Sequence, residues 1–223
     1  MAERSIFYYI TDRKQFPGDD PSRRRLLLDK VAEAARAGVD FIQLREKDLS
    51  VRELEILARD AVSVVQQSSQ RNPGTRLLVN SRADVALAVH AGGVHLRSDD
   101  ISVEDARTIA SSVLARRSTP ETANWLIIVS CHTDEDVRRA AAAHADLAVF
   151  APIFEKQNAS GVRPAGLKAL EIACRNHIPV LALGGITIDN AASCLAAGAA
   201  GLAGIRLFQE NNVAEVIRRI NPR

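Results

Sequence analysis

Leu181-Ala182-Leu183-Gly184-Gly185-Ile186 is followed, fifteen residues on, by Gly201-Leu202-Ala203-Gly204-Ile205-Arg206. Each is a short apolar run ending in glycine, and an alanine-rich helical segment lies between them. Two consecutive buried strands with glycine at their C-terminal ends make the phosphate grip of many (β/α)8 barrels. Glycine lets backbone N–H groups approach an anion closely, and the next helix start adds partial positive charge. The pair predicts an α/β fold, a (β/α)8 TIM barrel, and a phosphorylated ligand near Gly184, Gly185, Gly204 and Ile205. Gly185→Val is expected to block the anion by placing a side chain in its path.

Working outward, the rest of the chain reads as strand–helix units. Ser5–Ile10 is a first strand, and a helix over about Arg23–Ala37 stops at Gly38. Phe41–Leu44 is strand two. Ser50 caps a helix to about Ser68, with Glu53 completing a capping box. Asn72-Pro73-Gly74 is a turn. Leu77–Asn80 and Gly93–Leu96 are strands three and four, followed by helices Ala83–His90 and Ser102–Leu114. Trp125–Ser130 precedes a helix over Asp134–Ala143, with Thr133 and Asp136 as its capping box. Leu147–Phe150 is strand six. The long loop Ala151–Ala165, a candidate lid, leads to helix Leu167–Asn176. Pro179–Leu183, helix Asp189–Ala197, Ala200–Ile205 and helix Val213–Ile220 complete the pattern. The strands are nearly continuous apolar runs, as burial of both faces requires. Eight such units favour a closed parallel barrel over an open sheet, and the 223 residues fit one domain, 1–223.

Composition narrows the function classes. Apolar residues make up 47% and charged residues 25%, with a net charge of +2, so no bulk attraction to nucleic acid or a membrane surface is implied. Arg23-Arg24-Arg25 reads as a solvated helix start. Cys131, Cys174 and Cys194 are odd in number and lack a CxxC pair, which argues for reduced thiols and a cytoplasmic setting. Met1-Ala2-Glu3-Arg4 does not open a long apolar stretch, no run approaches membrane-spanning length, and no nucleotide-binding glycine motif is found. A homo-oligomer is compatible with the sequence, which leaves assembly open.

Polar residues at the C-terminal ends of barrel strands are the prime functional candidates. That rule selects Gln43, Arg45 and Lys47, then Asn80 and Arg82, then His95, Asp99 and Asp100, then Ser130 and His132. Alternation places Gln43, Arg45 and Lys47 on one side of an extended segment, a plausible diphosphate clamp. The competing reading is an ion-pair network among Arg45, Glu46, Lys47 and Asp48. His95 and His132 can equally be hydrogen-bonded core histidines. Asp84, Asp99 and Asp100 can be helix caps, although a rim carboxylate near phosphate also suits Mg²⁺.

Tyr9-Ile10-Thr11-Asp12, Gln43-Leu44-Arg45-Glu46-Lys47-Asp48, Asn80-Ser81-Arg82-Ala83-Asp84, Gly93-Val94-His95-Leu96, Ser130-Cys131-His132 and Leu183-Gly184-Gly185-Ile186 occur in this order. Together they resemble the thiamine phosphate synthase/thiazole tautomerase superfamily, from about Phe7 to Leu207. The synthase side of that resemblance implies joining hydroxymethylpyrimidine diphosphate to thiazole phosphate with release of diphosphate, using Mg²⁺. It assigns Gln43, Arg45, Lys47 and Asn80 to the pyrimidine diphosphate, Asp100 to the metal and Ser130 to the reacting diphosphate. Gly185 and the backbone near Gly204-Ile205 would hold the thiazole phosphate.

Four departures bear on this expectation. Ser81 stands where the family usually has a metal-binding aspartate, and Arg97-Ser98 where it has Gly-Gln. Glu155-Lys156-Gln157-Asn158 replaces a Thr-x-Thr-Lys pattern, with Lys156 a substitute cation at a shifted position. Pro152 occupies the position of the tautomerase histidine, leaving His132 as the alternative base. Tautomerase-like isomerisation, and phosphate binding without turnover, therefore stay open beside synthase activity.

Overall fold

The computed structural model describes residues 4–68, 74–116, 125–155 and 163–221. Lys156 and the proposed turn at Asn72-Pro73 lie outside these residues. Eight parallel strands close a barrel in sequence order: β1 (Ile6–Ile10), β2 (Phe41–Leu44), β3 (Arg76–Asn80), β4 (Gly93–Leu96), β5 (Leu126–Cys131), β6 (Leu147–Phe150), β7 (Val180–Ala182) and β8 (Gly201–Gly204). Around them lie α1 (Asp20–Ala37), α2 (Val51–Ser68), α3 (Ala83–Ala88), α4 (Val103–Leu114), α5 (Asp134–Ala142), α6 (Gly166–Ala173), α7 (Ala191–Ala196), α8 (Arg206–Gln209) and α9 (Val213–Ile220). Closure is direct. Strand β1 pairs with β2 on one side and with β8 on the other, in the register Tyr9↔Gly204, so no strand edge is left open.

Strand alternation separates two cores. Tyr8, Ile10, Leu78, Ile128, Leu147, Val149, Leu181 and Ala203 pack together inside the barrel. Phe7, Tyr9, Ile42, Leu44, Val79 and Val94 belong to the larger core shared with the helices. The period of two then dictates which polar residues face inward at the strand ends. Gln43 follows Phe41, Asn80 follows Leu78, His95 follows Gly93, and Ser130 follows Ile128.

Some local expectations need correction. Helix α1 begins at Asp20, ahead of the expected Arg23, because Asp19 accepts from Ser22 N at 3.0 Å as its N-cap. Within it Arg24 pairs with Asp20 and Glu53, so the arginine run serves the helix surface. Strand β8 stops at Gly204, and the chain turns at once into the short α8. The next strand-four helix is capped by Ser102 and not by Asp99 or Asp100. Asp84 lies inside α3, whose N-cap is Arg82, and pairs with that arginine. The three cysteines are free thiols, Cys131 and Cys194 buried and Cys174 partly so. No helix among the described residues is long and apolar enough to cross a membrane.

Candidate active site

A cavity of about 1390 Å³ opens at the C-terminal end of the barrel. Gln43, Arg45, Asn80, His95, Ser130, His132, Gly184, Gly185, Gly204 and Ile205 all line it, together with Arg97, Asp99 and Arg206. Strand order sets two sides. The polar residues of β2–β5 face the glycine turns of β7 and β8 across the mouth. Lys47 and Asp100 are not among the lining residues. Strand β2 ends at Leu44, and Lys47 sits exposed in the following turn, its charge felt at the rim carboxylate Asp99. The expected alternation of Gln43, Arg45 and Lys47 therefore holds only as far as Arg45.

The ion-pair network expected within Arg45–Asp48 is also redirected. Glu46 and Asp48 are taken by Arg13, from a 3-10 turn over Arg13–Gln15. Arg13 donates to Glu46 Oε2 at 3.1 Å, to Asp48 Oδ1 at 2.7 Å and to Asp20 Oδ1 at 2.8 Å. Arg13 and Glu46 are both buried. Thr11 Oγ1 donates to Glu46 at 2.6 Å and accepts from Arg45 N at 3.0 Å. This cluster fixes the backbone of Arg45 and leaves its guanidinium without an ion-pair partner among the described residues. Partial burial lowers the Arg45 pKa, against the charges of Asp12 and Glu46, while Arg97 nearby lowers it further. A partly desolvated cation at a cavity wall is primed for an anion.

On the β3–β5 side, Asn80 Nδ2 donates to Ser81 Oγ at 2.9 Å. Ser81 has φ 62, a left-handed backbone uncommon for serine. His95 is buried, with Nδ1 3.0 Å from Tyr8 Oη and Nε2 2.8 Å from Ser130 Oγ. Desolvation, with the Arg45 charge, pulls its pKa down to about 3, so the ring is neutral. His132 is exposed to the cavity, and its Nδ1 lies 2.8 Å from Ala151 O. A carbonyl only accepts, so Nδ1 carries a proton and Nε2 takes no part in that bond.

The glycine side is tighter than an open anion cradle. The segment after β6 runs along the β7 turn, with Ile153 N bonded to Leu183 O and Phe154 N to Gly184 O. Gly184 and Gly185 have φ 102 and 65. A Cβ on Gly184 would sit 2.8 Å from Pro152 Cα, and one on Gly185 would sit 2.7 Å from Glu155 O. Gly185→Val is therefore not the clean probe expected from sequence, because it collides with backbone before any ligand enters. Gly185→Ala is expected to cost about 1–3 kcal/mol of stability. It should also weaken inorganic phosphate binding, since the turn must shift. Urea unfolding and a phosphate titration check this; full stability with unchanged binding would contradict the packing account.

Sequence reasoning missed Tyr8, which reads as an ordinary core aromatic. Its signal was alternation, which puts Tyr8 and Ile10 inside the barrel. Arg13 carried no local signal. Arg97 and Asp99 line the cavity as a paired rim unit.

Comparisons with known proteins bear on the family and the fold. Residues 7–208 match the sequence model of a family described as thiamine monophosphate synthase. A thiamine-phosphate synthase of Roseiflexus sp. (strain RS-1) is 38% identical over 200 residues, covering 89% of this chain and 75% of that protein. A thiamine-phosphate synthase of Roseiflexus castenholzii is 37% identical, covering 90% and 79%. Among solved structures, thiamine phosphate pyrophosphorylase from Pyrococcus furiosus superposes with a TM-score of 0.75 at 28% identity, covering 96% of this chain and 93% of that one.

Proposed function

The chain belongs to the thiamine monophosphate synthase family, and from that premise we propose that it joins a hydroxymethylpyrimidine diphosphate to a thiazole phosphate, releasing diphosphate. One observation carries this reading. A single cavity sets the cation Arg45 and the inward polar residues Gln43, Asn80, His95 and Ser130 against the glycine turns at 184–185 and 204–205. Such a cavity has room and partners for two phosphorylated molecules, one at each side.

The chemistry follows from the charges. Departure of diphosphate leaves a benzylic-type cation on the pyrimidine, and the thiazole nitrogen attacks it. Such a reaction needs stabilisation of the leaving anion more than a strong base. Arg45 supplies a fixed positive charge there, with Asn80 and Ser130 as further polar partners. The glycine turns hold the second substrate by its phosphate, so that its ring faces the departing group.

The rim suits a magnesium ion that takes most of its ligands from diphosphate and water. Asp99 lines the cavity in a pair with Arg97, and Asp100 accepts from Arg97 N at 2.7 Å. No cluster of three ligating side chains occurs among the described residues. One or two carboxylates plus phosphate oxygens are a usual Mg²⁺ environment. When bound, the ion would neutralise charge on the departing diphosphate. Ser81 stands where the family pattern has a metal-binding carboxylate, and its left-handed backbone is one aspartate tolerates well. Ser81→Asp is thus expected to lower the half-saturating Mg²⁺ concentration by about tenfold, through a charged ligand worth roughly 1.4 kcal/mol or more. Asp100→Ala should raise it. Purified protein with both precursors, titrated with Mg²⁺ and read by thiamine phosphate formation, tests both claims. No product from the wild type or from Ser81→Asp would sink the synthase reading.

His132 favours one second reading. It lines the cavity with its Nδ1 fixed on Ala151 O, so that Nε2 is the ring nitrogen available to move a proton on a thiazole phosphate carboxylate. NMR exchange of the thiazole-ring proton with solvent, lost in His132→Ala, would identify a tautomerase; absence of exchange would exclude it.

A further inference from the structure

Three buried groups aim a hydroxyl at the cavity. Gln43 Nε2 donates to Tyr8 Oη at 2.9 Å, Tyr8 Oη lies 3.0 Å from His95 Nδ1, and His95 Nε2 lies 2.8 Å from Ser130 Oγ. Relative exposure is 0% for Tyr8, 1% for Gln43 and 3% for His95, whereas Ser130 is half-buried and lines the cavity.

Direction along this chain is set at Tyr8. With Gln43 donating, the phenolic proton needs an acceptor of its own. Among the described residues the acceptor bonded to Tyr8 is His95 Nδ1. Nδ1 is then unprotonated, and the neutral ring carries its proton on Nε2, donating to Ser130 Oγ. One lone pair of Ser130 is thereby taken, and its own O–H is left to point into the cavity. A serine activated as a nucleophile needs the reverse order, with Oγ–H donating to a bare Nε2. The reverse order would put a proton on Nδ1 and leave the buried phenol without an acceptor.

We propose that Tyr8 and His95 are positioning residues that hold Ser130 as a hydrogen-bond donor to an anionic oxygen of the bound diphosphate. Ser130 then acts without forming a covalent bond. The identity of that oxygen rests on the synthase reading; the direction of the chain does not. A donor held in place before the reaction stabilises charge as it appears on the leaving group.

The direction is tested without substrate by ¹⁵N NMR of the His95 ring in the full-length protein. The expected spectrum shows protonated Nε2 and bare Nδ1, unchanged across neutral pH. A protonated Nδ1 would overturn the proposal. Tyr8→Phe should release the tautomer to a mixture and weaken inorganic diphosphate binding about three- to tenfold, the scale of one hydrogen bond. Ser130→Ala should weaken it to a similar degree, and the double variant no further, because both act through one donor. In the synthase assay Tyr8→Phe should lower kcat with little change in KM for thiazole phosphate. His95→Gln, whose amide can replace the Nε2 donor, should retain more diphosphate affinity than His95→Leu. Additive losses, or an unchanged tautomer in Tyr8→Phe, would make Tyr8 merely structural. If diphosphate binding and the tautomer behave as expected while no thiamine phosphate forms, the synthase reading fails and the positioning chain stands.

Discussion

Replacing Arg13 by alanine is expected to lower folding stability by about 3–5 kcal/mol near neutral pH, the cost of leaving one partner of a buried ion pair alone. For a chain of this size that is a fall in Tm of roughly 6–20 °C. Glu46 would keep Thr11 and a backbone N–H, but its side chain is 1% exposed and its countercharge would be gone. The pH dependence has a definite sign. Burial already holds the Glu46 pKa above its ordinary value, opposed by Thr11 and Arg13, so loss of Arg13 raises it further. A carboxyl whose folded pKa is raised is penalised above that pKa and unpenalised below its unfolded value. Asp48 and Asp20, which Arg13 holds below the ordinary carboxylate range, lose a benefit that exists only when they are ionised. Both trends run the same way, so the deficit shrinks as pH falls from about 8 toward about 4. Urea unfolding of wild type and variant at several pH values measures it. A deficit below about 1 kcal/mol and flat with pH would mean that exposed pairing, worth little, is all the cluster provides.

Arg45→Ala is expected to raise the Kd for pyrimidine diphosphate between about tenfold and a hundredfold, since a charge-assisted hydrogen bond contributes roughly 1.5–3 kcal/mol. Thiazole phosphate, which the proposed function assigns to the far side of the mouth, should change less than about twofold, as expected for independent sites. Stability should not fall. The Arg45 side chain has no ion-pair partner among the described residues, and its partial desolvation opposes its charge. Arg45→Lys should recover part of the affinity, keeping the charge but losing the planar fork. Calorimetry with each ligand and a thermal melt decide the matter. Equal losses for both ligands, or a lowered Tm, would return Arg45 to a structural role.

These two arginines show where sequence is informative. Strands buried on both faces are apolar throughout, so β1–β8 stand out from their neighbours, and the glycines after β7 mark one side of the cavity by their position alone. Inward-facing Gln43, Asn80, His95 and Ser130 follow from strand register. Arg45 was within reach of the same alternation, but Lys47 was not. The ladder ends where Thr11 captures the Arg45 N–H, and that bond joins two loops far apart in the chain. Arg13 and Glu46 are separated by 33 residues, with no period linking them. Ser81's left-handed backbone and the contact of Gly185 with Glu155 are likewise properties of packing, invisible in residue order. Tyr8 was visible as buried but not as polar, because the partner that gives its hydroxyl a purpose lies 87 residues away.

The join between β1 and β8 also sets a schedule. Tyr9 Oη donates to Gln209 Oε1 across 200 residues, and Gln209 Nε2 reaches back to Asp12 O at 2.8 Å. Strand β1 must wait until β8 has been made before its second neighbour arrives. Until then β1 and the latest strand each present an unpaired backbone edge, the surface on which nascent chains stick to one another. The glycine turn at 204 and the tyrosines of β1 meet only at that final docking. A chain in which β8 has not yet docked therefore keeps an open strand edge, and the cavity at the C-terminal end of the barrel is complete only once that last pairing forms.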